Sequence, residues 1–104
     1  MKKAMPKNVS IMGRVIPIKY VPKSTMEKFM KDAEGVWDSY ERCIYINKEA
    51  PRNIQLYYIY HEVTHAMHCF TGIDQMLPNE FVEILCQTNA TLIEDILNQS
   101  RKMK

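Results

Sequence analysis

Residues 52–71 read RNIQLYYIYHEVTHAMHCFT. Pro51 stands just before this run, where the first turn of a helix tolerates a residue without an N–H. Gly72 follows it as a stop, and no Gly or Pro intervenes. Leu56, Tyr60, Val63, Met67 and Phe70 recur at steps of three and four, so the spacing predicts one long helix with a buried face. At its centre lies His61-Glu62-Val63-Thr64-His65, an H-E-x-x-H pattern. On a helix, positions i and i+4 stand one above the other, so both imidazoles can converge on one tetrahedral metal ion. Glu62 points about 100° around the helix from His61, within reach of a water on that metal but not itself a ligand. Zinc lowers the pKa of its water to about 7, and a neighbouring carboxylate can then move the proton. The pattern therefore nominates His61 and His65 as zinc ligands and Glu62 as the catalytic base.

An open catalytic zinc site needs a third protein ligand. Beyond Pro78 the sequence predicts a last helix from about Asn79 to Asn98, with Val82, Cys86, Ala90, Ile93 and Leu97 as its apolar stripe. Glu83 falls on that stripe, where an unpaired charge would be costly and a metal would supply its partner. Glu80 is the alternative. Asn79-Glu80 resembles the pair that carries the third ligand in thermolysin-like enzymes, but it groups with Ile84, Gln87 and Thr91 on a more polar face. Periodicity favours Glu83. His68 shares the metal face, yet seven residues along a straight helix put it about 10 Å from His61. That suits a cleft residue better than a ligand. Cys69 and Cys86 could ligate as thiolates or simply pack. Tyr57, Tyr58, Tyr40 and Tyr45 are all candidates to donate to an oxyanion, and the sequence does not choose among them.

The remaining elements complete an α+β reading. Val9–Met12 and Val15–Val21, with Gly13-Arg14 between them, predict a hairpin. Ser24-Thr25-Met26-Glu27 fits a capping box, predicting a helix with Met26, Phe29, Met30 and Ala33 inward and Gly35 as its end. Val36-Trp37 and Arg42–Asn47 predict a second hairpin turned at Asp38-Ser39. The expected fold is α+β, with a small, mainly antiparallel sheet and three helices in one domain spanning 1–104. Residues 1–7 and 99–104 are expected to be loose ends.

Composition narrows the class. The chain has 104 residues, 46% hydrophobic and 25% charged, with a net charge of +2. Residues 1–52 hold 11 Lys/Arg against 6 Asp/Glu, and residues 53–104 hold 3 against 6. The basic half has no RNP-like pattern or basic stripe, so direct nucleic-acid binding is not expected. No stretch approaches the roughly 20 apolar residues of a membrane span. Three widely spaced cysteines, Cys43, Cys69 and Cys86, make no disulfide framework. A cytoplasmic protein away from the membrane is expected.

His61-Glu62-Val63-Thr64-His65 followed by Glu80-Phe81-Val82-Glu83-Ile84-Leu85-Cys86 resembles the ImmA/IrrE-like metallopeptidases, and most closely their short phage- or prophage-type members. The resemblance spans roughly residues 10–98, and its specific motifs lie on the two long helices. It implies zinc, a minimal zincin-like (gluzincin) architecture, and Glu83, three residues before Cys86, as third ligand. It also implies cleavage or binding of a protein or peptide partner of the repressor type. The Cys43-Ile44-Tyr45-Ile46-Asn47 strand looks like the strand before the active helix in that family, and in zincins such an edge strand pairs with extended substrate. The helix-turn-helix or sensing region of larger relatives has no counterpart here, and Leu92-Ile93-Glu94-Asp95 stands in place of the family's Leu-Leu-x-Pro ending. The alternative is a catalytically silent, zinc-stabilised domain that binds a regulatory partner. A third reading is a metal-free regulatory module with a vestigial motif.

Overall fold

In the computed structural model, which describes residues 5–102, the chain folds as α+β. Four strands, β1 (Asn8–Ile11), β2 (Arg14–Val21), β3 (Gly35–Asp38) and β4 (Cys43–Asn47), form one mixed sheet in the order β1-β2-β4-β3. The helices are α1 (Lys23–Met26), α2 (Arg52–Thr71), α3 (Ile73–Met76) and α4 (Asn79–Lys102).

The first hairpin forms with its turn one residue earlier than expected. Met12 and Gly13 both have positive φ, 51° and 81°. That is the handedness a tight two-residue turn needs to match the strand twist. β1 pairs antiparallel with β2 from Asn8↔Pro17 to Ile11↔Arg14. The second hairpin, β3 with β4, is also antiparallel, while β2 and β4 run parallel. Asp38 Oδ1 accepts hydrogen bonds from the Tyr40 and Glu41 N–H groups and shapes the β3–β4 turn. The resemblance gave β4 the role of an edge strand. Instead, β4 lies between β2 and β3, and β3 is the free edge beside it.

The helix expected between Ser24 and Gly35 is a single turn, and its N-cap is Pro22. Met26 is fully buried, but Phe29 and Met30 are exposed. A short helix survives only if tertiary packing takes up its apolar face, and here one side chain alone finds a core. Phe29 instead stacks on Tyr45 at 4.7 Å, and α1 rests on β4. The carboxylate of Glu27 does not cap the helix start and accepts the Asp32 N–H.

Ile16, Ile18, Ile44 and Ile46 present one face of the sheet to Ile59 and Ala66 of α2. Successive strand residues point to opposite faces, so Cys43 and Tyr45 look the other way, toward α1. Met5 joins the core from the N-terminal side, Ile18 N–H donates to Lys7 O, and the Tyr20 hydroxyl donates to Pro6 O. Residues 5–7 of the expected loose N-terminal end are therefore tied to the fold. At the other end, α4 continues through Lys102, and residues 1–4 and 103–104 lie outside the described residues.

α2 spans the expected residues and ends at Gly72 in the left-handed conformation (φ 81°). Burial on it follows the expected stripe only in part: Leu56, Val63 and Phe70 pack, partly buried, against the core. Gln55, Ile59, Glu62 and Ala66 are buried, as are His61, Thr64 and His68, while Met67 is exposed. The sheet covers one side of α2 and α4 covers another, so a single 3.6-residue period cannot describe its burial. Two of its buried polar side chains are satisfied by backbone carbonyls: Gln55 donates to Lys48 O and Ala50 O, and Thr64 to Tyr60 O.

α2 and β3 meet closely at Gly35. A Cβ there would lie 3.0 Å from Tyr58 Cβ and 3.2 Å from Glu62 Cγ. Gly35→Ala is expected to destabilise the fold by about 1–3 kcal/mol through overpacking against α2, as read by urea denaturation.

Candidate metal centre

His61 and His65 sit one turn apart on α2, facing α4. Glu83 comes from the second turn of α4. That helix is anchored by Val82, Cys86 and Ala90, all buried and none large. Short side chains let the two helix backbones approach, which brings a glutamate within reach of the imidazoles.

His61 Nε2 lies 2.7 Å from Glu83 Oε1, and His65 Nε2 lies 3.1 Å from Glu83 Oε2. The two Nε2 atoms are 3.2 Å apart. Ligand atoms bound at about 2.1 Å to one tetrahedral ion stand roughly 3.4 Å from each other. The three groups are thus preassembled close to the edges of a coordination tetrahedron, and together they could hold a metal ion. Two nitrogens and one carboxylate suit zinc among other first-row divalent ions. His61 Nδ1 is buried without a hydrogen-bond partner, so among the described residues no side chain or carbonyl orients this ring from behind.

Glu62 lies beside the triad against Gly35 at the β3 edge, lines the same cleft and is 5% exposed. Its Oε2 remains 3.9 Å from His61 Nε2. Burial pushes its carboxyl up to about 8, against the lowering effect of a hydrogen bond from the Trp37 backbone N–H, and the nearby Glu83 charge adds to the rise. Burial likewise holds the His65 imidazole below its ordinary value, which favours the neutral ring that a metal requires.

A cleft of about 550 Å³ opens over these groups. One wall is Met30–Trp37, the other is Tyr58, His61, Glu62, His65 and Glu83. Of the four candidate tyrosines only Tyr58 lines it. Tyr57 borders a separate groove beside Thr88 and Leu92, Tyr40 is almost fully exposed, and Tyr45 lies under Phe29. Glu80 is exposed in the first turn of α4, outside the triad. His68 is buried with its Nδ1 3.8 Å from the Cys86 thiol, so neither joins the His61 group, nor does Cys69. All three cysteines are free, and burial drives the Cys86 thiol up to about 12, far from a thiolate.

Two contributors were missed from sequence. Gly35 reads as a helix terminator but makes room for Glu62. Trp37 contributes its backbone N–H, which no side-chain pattern encodes. The signal available was the Gly-Val-Trp run itself, a glycine opening a short strand.

No protein-family model, curated protein or solved structure matches this chain.

Elemental analysis after dialysis is expected to find about one equivalent of divalent metal. His61→Ala or Glu83→Ala should abolish stoichiometric binding, and Glu80→Gln should leave it unchanged. Retention in Glu83→Ala with loss in Glu80→Gln would reverse the assignment.

Metal-free protein should show a distinct pH dependence. Glu62 takes up a proton on folding between its ordinary 4.5 and about 8. Uptake on folding means that stability falls as pH rises. The lowered His65 acts in the opposite sense, but only below its ordinary 6.5. From that point up to about pH 8, unfolding free energy should fall by at most about 1.4 kcal/mol per pH unit. Glu62→Gln should flatten the slope in urea titrations.

Proposed function

We propose that this chain is a small zinc-dependent metallopeptidase that hydrolyses a peptide bond in a protein substrate. The observation that carries the reading is the pairing of two unlike carboxylates around one His-His pair. Glu83 touches both imidazoles, as a ligand does. Glu62 stands beside them, buried, held by the Trp37 N–H and facing the cleft. A structural metal site needs no second carboxylate of this kind, whereas hydrolysis needs a base near the metal that is not a ligand.

Zinc held by His61, His65 and Glu83 would supply Lewis acidity and lower the pKa of a water to about 7. Glu62 then accepts the proton of the attacking water and passes it to the departing amine. Its raised affinity for a proton suits both halves of that task, because efficient acid–base groups titrate near working pH. Tyr58 is the tyrosine on the cleft wall, and its hydroxyl is the group assigned to the developing oxyanion. The free edge of β3 borders the same cleft and offers backbone groups to an extended peptide. The H-E-x-x-H and Glu83–Cys86 resemblance to ImmA/IrrE-like metallopeptidases supports a repressor-like protein as the substrate class, in a phage or mobile-element setting.

Glu62→Gln should keep the metal and the fold while cleavage of a peptide library, read by mass spectrometry, falls by roughly 100-fold or more. Cleavage undiminished in this variant would remove the mechanism. A metal-replete wild type that cleaves nothing would instead favour the silent, partner-binding domain.

A further inference from the structure

The parallel pairing of β2 with β4 brings two arginines together. Arg14 opens β2 and Arg42 stands just before β4, so both lie at the same end of the sheet. Arg14 precedes the buried Ile16 by two residues, and Arg42 precedes the buried Ile44 by two, so strand alternation turns both toward α2. There they meet one ring near the end of α2. Cζ of Arg14 lies 4.6 Å and Cζ of Arg42 5.7 Å from the centroid of Phe70. A ring attracts a cation, but it leaves the N–H edge of a guanidinium free. Both arginines are exposed. Among the described residues neither is ion-paired, since the ion pairs all involve His61 or His65. Neither donates a side-chain hydrogen bond either; the arginine that does so is Arg52. The acids of the neighbouring turn are engaged elsewhere. Asp38 pairs with Cys43 on the outer face, and its Oδ1 accepts the Tyr40 and Glu41 N–H groups. Asp38 and Glu41 both act on the Tyr45 hydroxyl on that face.

We propose that Arg14 and Arg42 form a carboxylate-binding subsite for an acidic side chain of a peptide lying along the free edge of β3, an assignment that rests on the reading of the cleft as a peptide site. Trp37 makes the connection. It belongs to β3, lines the metal cleft and packs edge-on against Phe70 with ring centroids 5.6 Å apart. The arginine pair thus begins where the Trp37 wall of the cleft ends. Phe70 is five residues beyond His65 on α2, about 7–8 Å along the axis. An extended peptide advances about 3.3 Å per residue, so a side chain about two or three residues from the one at the metal group reaches the pair. A guanidinium fork matches a carboxylate in two parallel hydrogen bonds. An anion here also relieves the repulsion of two like charges held over one ring. The C-terminal end of the α2 dipole draws cations to this place, but it leaves their N–H groups unpaired. The adjacent strand edge favours a peptide over a free anion, because backbone pairing along β3 adds to the ion pair.

The probes are acetylated octapeptide amides of Ala and Ser, each with one Glu at a different position, and the same set with Gln in its place. Trp37 is the only tryptophan of the chain, so its fluorescence reports occupancy beside Phe70. Zinc-loaded Glu62→Gln protein is titrated so that no probe is cleaved. At one or two positions Glu should bind roughly 10-fold more tightly than Gln, and the preference should shrink as salt is raised. The readout is binding, so a wild type that cleaves nothing sinks the peptidase reading while leaving this preference to be seen.

Arg14→Gln and, separately, Arg42→Gln should each remove most of the preference for Glu, with unchanged far-UV circular dichroism. Arg14→Lys, which keeps the charge and loses the fork, should retain only part of it. Lys19→Gln should leave it intact, because that cation lies over Tyr45 on the outer face. Absent binding, or equal binding of Glu and Gln peptides at every position, overturns the proposal, as does a preference that survives loss of both arginines. Millimolar phosphate that abolishes the preference at constant ionic strength overturns the peptide assignment in favour of a free-anion site.

Discussion

One carboxylate from α4 touches two imidazoles from α2, and the surrounding architecture can be understood as what that contact demands. Three polar groups meet between two packed helices, with His61 almost wholly removed from water. Such a cluster is expensive in a chain with so small a core unless something compensates for lost hydration. Hydrogen bonds between neutral imidazole and carboxylate offset part of the cost. A bound cation offsets far more, and its binding free energy then becomes folding free energy. The centre is thus a conditional asset, costly when empty and stabilising when filled.

The sheet imposes the second constraint. α2 lies across four isoleucines, and the same helix must send Glu62 toward the β3 edge. Both fit only because position 35 has no side chain beyond hydrogen. The Trp37 N–H meets the Glu62 carboxylate there and keeps a buried acid oriented. Fold and site are therefore coupled at one point, since moving α2 outward would disturb both the core and the buried Glu62. The antiparallel β3–β4 pairing leaves β3 open on its far side, so the strand that positions Glu62 also forms the cleft wall.

α4 makes its extensive contact with α2 through small buried side chains, Val82, Cys86 and Ala90, which permits the close approach of Glu83 but leaves Phe81, Leu92 and Ile96 exposed to water.

Local rules were enough for much of this molecule. The two long helices, both hairpins and the α+β class follow from periodicity, β-branched runs and glycine stops, because each depends on residues near in sequence. The His61–His65 pairing is an i, i+4 fact of helix geometry. Glu83 does lie beside both imidazoles, but its side chain is half exposed (48%), so burial on an inward stripe was not the reason that brought it there. Other features depended on contacts between distant segments. The capping-box sequence at Ser24 lost its helix because only Met26 found a core to enter. The buried face of α2 departed from one period because two different layers cover it. The parallel β2–β4 pairing, which moved the free edge from β4 to β3, is a choice of neighbour that strand sequences leave open. Tyr58 was separated from Tyr57 by which side of α2 the cleft occupies. The sequence by itself determined the His and Glu groups that could hold a metal ion, their spacing and the helices that bear them. Tertiary structure decided which edge, which tyrosine and which backbone N–H meet them, because long-range packing chooses among local options of nearly equal energy.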